Sequence, residues 1–457
     1  MTATSPDTQH PARLKHLPPM MPGGLPYVGH IMGFRQNPVA LLKRGYEQLG
    51  DCYSVRLLGN RATILTGPQA NRAFFMSSED QFSPREAYQF TVPVFGKGIA
   101  YDAEPDVMDE QLGFVMPALR THSMHKYVGQ IQDEAEQYFA TWGDEGEVDI
   151  LKTTQALTTF IASRCLLGWE FRTQVTDEFI HLFHDLEQAL TPIAFFLPYL
   201  PIPAFRRRDR ARSRMGELFS QIIADRRAQG RRADDFLQIF MEARYANGTS
   251  LTDDEITGLL LTLVFAGHHT SAVMAAWTGI LLLQHPQYLS PILQEQKEVC
   301  GGKEALTYDA ICRLVNLEHA IKEAERMYPP LIILMRKILK DFEYGDYILP
   351  TGDLVMVSPA VSHRIPEVFS DPDRYNPDRF GPGREEDQKQ PHSLIGFGGG
   401  KHRCLGFHFA YLQIKVIWSV LFRDFDFELI DASYQPDYTT LVVGPRQPCL
   451  LRYRRKH

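Results

Sequence analysis

Ten residues near the C-terminus constrain this 457-residue chain more than any other stretch: Phe397-Gly398-Gly399-Gly400-Lys401-His402-Arg403-Cys404-Leu405-Gly406. Three consecutive glycines allow positive φ and a close approach of backbone to a flat partner. Cys404 then opens an apolar helical pattern that runs from Leu405 to Leu421. Its sulfur therefore sits at a helix N-terminus, where free N–H groups and the helix dipole stabilise a thiolate. The plain alternative is a structural cysteine behind a glycine-rich turn, and the length of the string speaks against it. A chain this long buries about three quarters of its unfolded surface, enough to enclose a large cofactor.

Composition narrows the partners. Lys and Arg number 48 against 55 Asp and Glu, a net charge of −7. That balance lacks the basic footprint of nucleic-acid binding. The six cysteines are scattered with no C-x-x-C pair, which fits a reducing compartment and no zinc or dithiol framework. The start, MTATSPDTQHPARLKH, has no apolar signal core. The one long apolar run, Ile256 to Leu283, follows Asp253-Asp254-Glu255 and is interrupted by Gly267-His268-His269-Thr270-Ser271. It reads as a buried helix rather than a membrane span. The expected location is cytoplasmic or peripheral to a membrane, with no transmembrane anchor.

The expected architecture is mainly α, a large helical domain with a small β-sheet-rich region. No repeat or linker divides residues 1–457, so a single domain is expected. Its β-rich part covers about 17–100 and 338–360, its helical body about 105–335, and the cysteine loop 397–406. Pro18 to Pro26 is a rigid extended lead-in. CYSVRL and ATILT form a hairpin about Gly59-Asn60. DYIL and LVMVS flank a turn at Pro350 to Asp353, and FDFELI, TLVV and CLLRYR are short C-terminal strands. Four prolines in 191–205 forbid a continuous helix. With the basic run 206–214, this segment reads as an apolar entrance lid with a basic rim, or as a surface loop and a solvated helix face.

Three further segments carry chemistry. Thr252-Asp253-Asp254-Glu255 is a capping box ahead of the long helix. Within that helix Gly267 costs about 1 kcal/mol against Ala but opens room for a ligand. Thr270 can bond back to the Ala266 carbonyl or turn toward bound oxygen, and a hydroxyl beside the titratable His269 suits proton delivery. Glu323 and Arg326 lie one turn apart, with Arg379 downstream in Pro377-Asp378-Arg379-Phe380. The string from Tyr88 to Asp102 is too aromatic for a surface loop.

Together with F-G-G-G-x-x-R-C-x-G, these segments resemble the cytochrome P-450 superfamily. Within it the chain is similar to the sterol 14α-demethylases, of a soluble bacterial type. The string Tyr88 to Asp102 follows that subfamily's signature, with Phe90 at its third position, Pro93 at its sixth and Ile99 in place of Val. The resemblance implies the cytochrome P-450 fold and haem b, its iron held by the axial thiolate of Cys404, which favours O–O cleavage. It implies that Phe397 and Gly398 shape the haem loop, and that Tyr88, Arg336 and His402 serve the propionates. It implies that Thr270 and His269 manage protons, with Glu187 as the acidic partner and Asp185 the alternative. The implied sterol wall is Tyr88, Phe90, Phe95, Phe265, Ala266, Leu331, Ile333 and Val442. Glu323, Arg326 and Arg379 would form a buried charged triad. Glu110-Gln111-Leu112-Gly113 departs from the family, where many members carry a basic haem clamp after Glu-Gln.

The implied reaction removes the 14α-methyl group of a sterol in three O2-dependent steps, giving formate and a C14–C15 double bond. No nicotinamide or flavin fingerprint is present, so a ferredoxin- or flavodoxin-type donor, separate or fused, must supply electrons. Lys401, Arg403 and Lys415 offer a docking patch for it, or a solvated face. Azole inhibitors are implied as ligands. The rival readings are a haem-thiolate hydroxylase of another lipid or natural product, and a non-catalytic haem sensor.

Overall fold

A helix of 32 residues, Asp253–Gln284, runs through the core of the molecule. Its start is fixed by the expected capping box: Thr252 Oγ1 accepts the Glu255 N–H, and the Glu255 carboxylate accepts the Thr252 N–H. Its apolar residues then bury against helices Ile150–Ala162, Pro203–Gln229, Val315–Met327 and Phe407–Asp424. Gly279 sets how closely the last of these approaches. A Cβ there would fall 1.9 Å from Cζ2 of Trp418, whose Nε1 donates to the Ala275 carbonyl at 2.9 Å. The central helix and the segment Gly400–Asp424 are long and apolar enough to cross a membrane, yet most of each is buried inside the protein. The computed structural model describes residues 15–173, 176–301, 305–431 and 433–456, so most of the N-terminal stretch read for a signal lies outside the described residues.

The largest sheet has five strands in the order β1-β2-β8-β5-β3. Strands β1 (Cys52–Leu57) and β2 (Asn60–Leu65) form the expected hairpin, but its turn is Leu58-Gly59. Both turn residues have positive φ, 48° and 84°, and Asn60 pairs with Leu57. Strand β3 is Phe82–Ser83, and β4 (Glu145–Asp149) belongs to a second sheet. Strand β5 (Leu334–Ile338) lies antiparallel to β8 (Leu354–Val357), which runs parallel to β2. Strand β7 (Tyr347–Leu349) does not pair with β8 across the Pro350 turn; it pairs with β6 (Phe342–Tyr344). The second sheet is β4-β10-β9, with β9 at Phe425–Leu429 and β10 at Leu450–Arg455.

The expected strand TLVV is not one. Asp437 accepts from Thr439, Thr440 Oγ1 donates to the Val442 carbonyl at 2.8 Å, and Val443 N–H donates to the Pro330 carbonyl at 2.8 Å. Local side-chain bonds of this kind compete with a ladder and turn the chain.

The proline-rich segment breaks as expected, into a short helix Pro192–Phe196 and a second helix that starts at Pro203. Phe195 packs on Phe90 with ring centroids 3.9 Å apart. Arg208 is buried and donates to the Pro198 carbonyl at 2.8 Å, which clasps the segment to the long helix, while Arg206, Arg207 and Arg210 stay exposed.

Candidate functional site

The cysteine loop closes through a bond from Cys404 N–H to the Phe397 carbonyl, 2.9 Å. Gly400 adopts φ 58°, and a Cβ there would lie 2.5 Å from the Phe75 carbonyl oxygen, so only glycine fits. Burial pushes the Cys404 thiol up, and the N–H groups of Gly406 and Phe407 pull it back only in part. Those N–H groups thus favour the thiolate, as the sequence implies, against the effect of burial. A coordinated cation removes the proton outright.

The loop hangs on a buried charge cluster. Arg326 meets Glu323 through two bonds of 2.7 and 2.9 Å, and Arg379 Nε lies 3.0 Å from the same carboxylate. All three side chains are fully buried. Arg379 also donates to Glu386 at 2.7 Å; burial alone would raise that carboxyl, but Arg384, Ser370 and Arg379 hold it down at about 2. Two buried guanidiniums thus face two carboxylates, and Arg384, 38% exposed, joins at the edge. Arg326 donates to the His363 carbonyl at 2.9 Å, and His363 Nε2 accepts the Ile395 N–H at 2.8 Å, one residue before Gly396 and the loop.

Burial holds His363 down at about 3 against an ordinary 6.5, and His268 at about 4. Between those values the unfolded chain binds more protons than the folded one. Stability is then full above about pH 6.5 and falls as pH drops toward 3. Glu325, whose carboxyl burial pushes up to about 7, acts in the opposite sense over the same range, so the test is made in Glu325→Gln. Its urea midpoint should decrease from pH 7 to 5, and a flat or rising midpoint there would contradict the histidine effect.

On the central helix, Ala266 is exposed although its neighbours in sequence are largely covered. Thr270 Oγ1 donates to the Ala266 carbonyl at 2.6 Å. His269 Nδ1 lies 2.6 Å from Glu187 Oε1, at the end of helix Thr176–Glu187, and its Nε2 lies 3.4 Å from the Gln155 amide. A protonated Nδ1 donating to Glu187, with Nε2 accepting from Gln155, satisfies both contacts. Asp185 points elsewhere and lies 3.7 Å from Arg207. His268 is buried beside them, its Nδ1 3.0 Å from Thr158 Oγ1 and 3.2 Å from Thr159 Oγ1.

Tyr88 accepts the Met335 N–H through its hydroxyl and stacks on Tyr101, centroids 4.7 Å apart. Burial pushes the Tyr101 phenol up to about 12, and the charges of Tyr88, Arg336 and Cys404 also act on it. The stack on Tyr88 and the bond from Met335 bring Tyr101, Tyr88 and the strand that carries Arg336 together. Burial, then Arg336, lowers His402. Arg336 is 6% exposed, sits over the Phe74 ring at 5.1 Å, and among the described residues no carboxylate pairs with it. A buried, unpaired guanidinium calls for an anion. Together with the cysteine loop, this donor set fits haem and its propionates.

Gln111 accepts from Ala100 N–H at 3.0 Å and donates to the Gly98 carbonyl at 2.9 Å. It pins the turn that presents Tyr101 where many family members have a basic clamp nearby. Tyr101 was missed in the sequence, although its place inside the aromatic string was a signal.

Phe90, Tyr88 and Ile333 pack in one apolar cluster with Phe195, and Phe95 meets Phe265 at 5.5 Å. Phe183, also missed, packs on Phe265 at 4.4 Å. The bond from Val443 to Pro330 brings Val442 beside Leu331. The expected docking patch does not assemble. Lys415 is 3% exposed and paired with Glu318, and Lys401 is held by Glu79 and Asp109 at 3.0 and 2.9 Å. Arg403 alone of the three is exposed without an ion pair among the described residues. Helical periodicity around Cys404 could not show that Lys415 faces inward.

Residues 18–451 match the cytochrome P450 family, and the chain belongs to that family. It is a haem-thiolate monooxygenase, acting with O2 and a redox partner. It is 43% identical to a sterol 14-demethylase of Arabidopsis thaliana, over 97% of this chain and 93% of that protein. It is 38% identical to a sterol 14alpha-demethylase of Mycobacterium bovis, over 96% and 98%, and 36% identical to a lanosterol 14-alpha demethylase of Bos taurus, over 96% and 88%. These matches place it in the sterol 14-demethylase branch of the family. The fold is that of the retinoic acid-bound cyanobacterial CYP120A1, with a TM-score of 0.87 at 24% identity, covering 97% of this chain and all of that one.

Proposed function

We propose that this protein removes the 14α-methyl group of a sterol in three O2-dependent steps, releasing formate and leaving a C14–C15 double bond. The observation that carries the assignment of roles is the 2.6 Å contact of Glu187 with His269, next in sequence to Thr270. Relatives of 36–43% identity that are named for sterol 14-demethylation support the substrate.

Bound haem supplies an iron that activates O2 with electrons from a partner protein. Cys404 would hold that iron, with Phe397 and Gly398 closing the loop around its sulfur. Arg336, His402, Tyr88 and Tyr101 would take the propionates. Phe90, Phe95, Phe265, Ala266, Leu331, Ile333 and Val442 wall the sterol and keep bulk water out. Glu187 holds the Nδ1 proton of His269. Thr270 moves a proton onward when its hydroxyl leaves the Ala266 carbonyl. Glu323, Arg326 and Arg379 fix the loop. A ferredoxin- or flavodoxin-type donor delivers electrons near Arg403, and azoles compete for the site.

The protein works in the cytoplasm at a lipid surface, where its substrate dissolves. Exposed Leu25, Tyr27 and Met32 of the lead-in and Ile193, Leu197 and Tyr199 of the lid flank one apolar cluster, with Arg206, Arg207 and Arg210 close in sequence to the lid. Apolar side chains beside exposed cations suit an anionic bilayer.

Reconstitution with a 14α-methyl sterol, donor protein, reductase and NADPH should release formate and the C14–C15 alkene. Hydroxylated sterol without formate would favour the hydroxylase reading, and sterol binding without turnover the sensor. In the same assay Glu187→Gln should lower turnover about 10- to 100-fold and change its solvent isotope effect, with sterol affinity unchanged. Turnover and isotope effect equal to the parent's would remove Glu187 from the path.

A further inference from the structure

Three side chains behind the substrate wall are placed for a task that the proton path does not need. Glu187, His268 and His269 each turn one ligand atom to a common point, all within 4.8 Å of one another. We infer that they form a binding site for a divalent transition-metal ion of the zinc class.

Tetrahedral zinc with bonds of about 2.0–2.1 Å sets its ligand atoms about 3.3 Å apart. His268 Nε2 lies 3.8 Å from Glu187 Oε1 and His269 Nδ1 lies 2.6 Å from it. Those two distances bracket the required one, and the third, between the two imidazole nitrogens, is within 4.8 Å, so side-chain shifts of about 1 Å bring the three to an ion. Two imidazoles and one carboxylate are also a zinc donor set that keeps a fourth position open. Calcium and magnesium are disfavoured, because they demand six or more oxygen ligands.

The surroundings of His268 supply the second observation. Thr158 and Thr159 hydroxyls each lie within bonding distance of the Gln155 carbonyl, at 3.2 and 2.8 Å. With their single protons given to that carbonyl, both oxygens accept from His268 Nδ1–H. The bare Nε2 lone pair then faces Glu187. A ring oriented through its far nitrogen is what a metal-binding histidine requires. The Gln155 amide meets the far nitrogen of the other ring, 3.4 Å from His269 Nε2.

Binding shifts the tautomer of His269: Nδ1 gives up the proton it shares with Glu187 and binds the ion, Nε2 takes up a proton in its place, and the Gln155 amide turns its oxygen toward that N–H, with no net proton released. Nothing is oxidised or reduced. Zinc would then occupy the lone pairs through which Glu187 and His269 pass protons, so turnover should stop until a chelator removes it. That consequence rests on the proposed relay; the binding itself does not.

The test is calorimetric titration of chelator-treated holoprotein with zinc chloride. One equivalent should bind with a dissociation constant in the micromolar range, leaving the Soret band unchanged. His268→Ala and Glu187→Gln should each weaken binding about tenfold or more. His184→Ala, an exposed residue on the same helix as Glu187, should bind as the parent does. The reduced, carbon monoxide-treated spectrum of each variant reports that it is folded, and Thr158→Val provides a milder probe if His268→Ala is not. No uptake at about 100 μM zinc, or equal uptake by parent, His268→Ala and Glu187→Gln, overturns the site. Zinc bound through these residues without loss of formate release would confirm the site and reject the relay.

Discussion

Cys404→Ser will abolish the absorbance at about 450 nm of the reduced, carbon monoxide-treated protein and take formate release to background. The effect is expected to be near total because one atom carries it. The loop survives the change: its closing bond is made by the backbone N–H of residue 404, and the glycines at 398 and 400 keep their positive φ. The melting temperature of the haem-free protein should therefore stay close to that of the parent. What is lost is a soft anionic donor, since a serine hydroxyl holds its proton far more tightly than a thiol does. A variant that kept the 450 nm band would show that another group ligates the iron.

Glu323→Ala will prevent recovery of folded protein. The carboxylate is fully buried and meets both Arg326 and Arg379. Removing it strands cationic charge where water cannot reach, a loss of about 3–5 kcal/mol. Total stability is only about 5–15 kcal/mol, so the variant should aggregate or melt far below the parent. The comparison that gives this meaning is Glu325→Gln, two residues on. Glu325 is equally buried and accepts from the Tyr411 hydroxyl at 2.9 Å, but burial pushes its carboxyl up to about 7. It is near half protonation at neutral pH, so an amide should be tolerated within about 1 kcal/mol. If Glu323→Ala melted with Glu325→Gln, the cluster would not be the brace described.

Much of the fold was legible because its signals are local. The capping box at Thr252, the prolines that interrupt 191–205 and the turn signal between CYSVRL and ATILT each act within a few residues. The failures are long-range. Strand β8 is drawn away from β7 to lie beside β2, almost 300 residues earlier, and nothing within LVMVS says so. TLVV has strand composition but is turned by Asp437, Thr440 and a carbonyl at Pro330. Lys415 looked like surface charge until its helix was packed, and then it lay inside with Glu318.

The candidate site divides along the same line. Family resemblance could name Glu187 as a partner for His269, but the choice over Asp185 is a matter of which helix face looks inward. Tyr101 and Phe183 escaped notice because an aromatic residue in an apolar string is indistinguishable from core until its neighbours are known.

The sequence by itself determined the glycine-lined turn around Cys404, the long helix that starts at its capping box and the kinds of charge available for a brace. Those properties reside in residue identity and short spacing, where hydrogen-bond reach and backbone sterics act. Only the tertiary structure decided which carboxylate meets His269, which cation stays buried without an anion, and that His268 turns a nitrogen toward Glu187. These depend on distances between helices far apart in the chain, and close packing fixes such distances through every side chain at once.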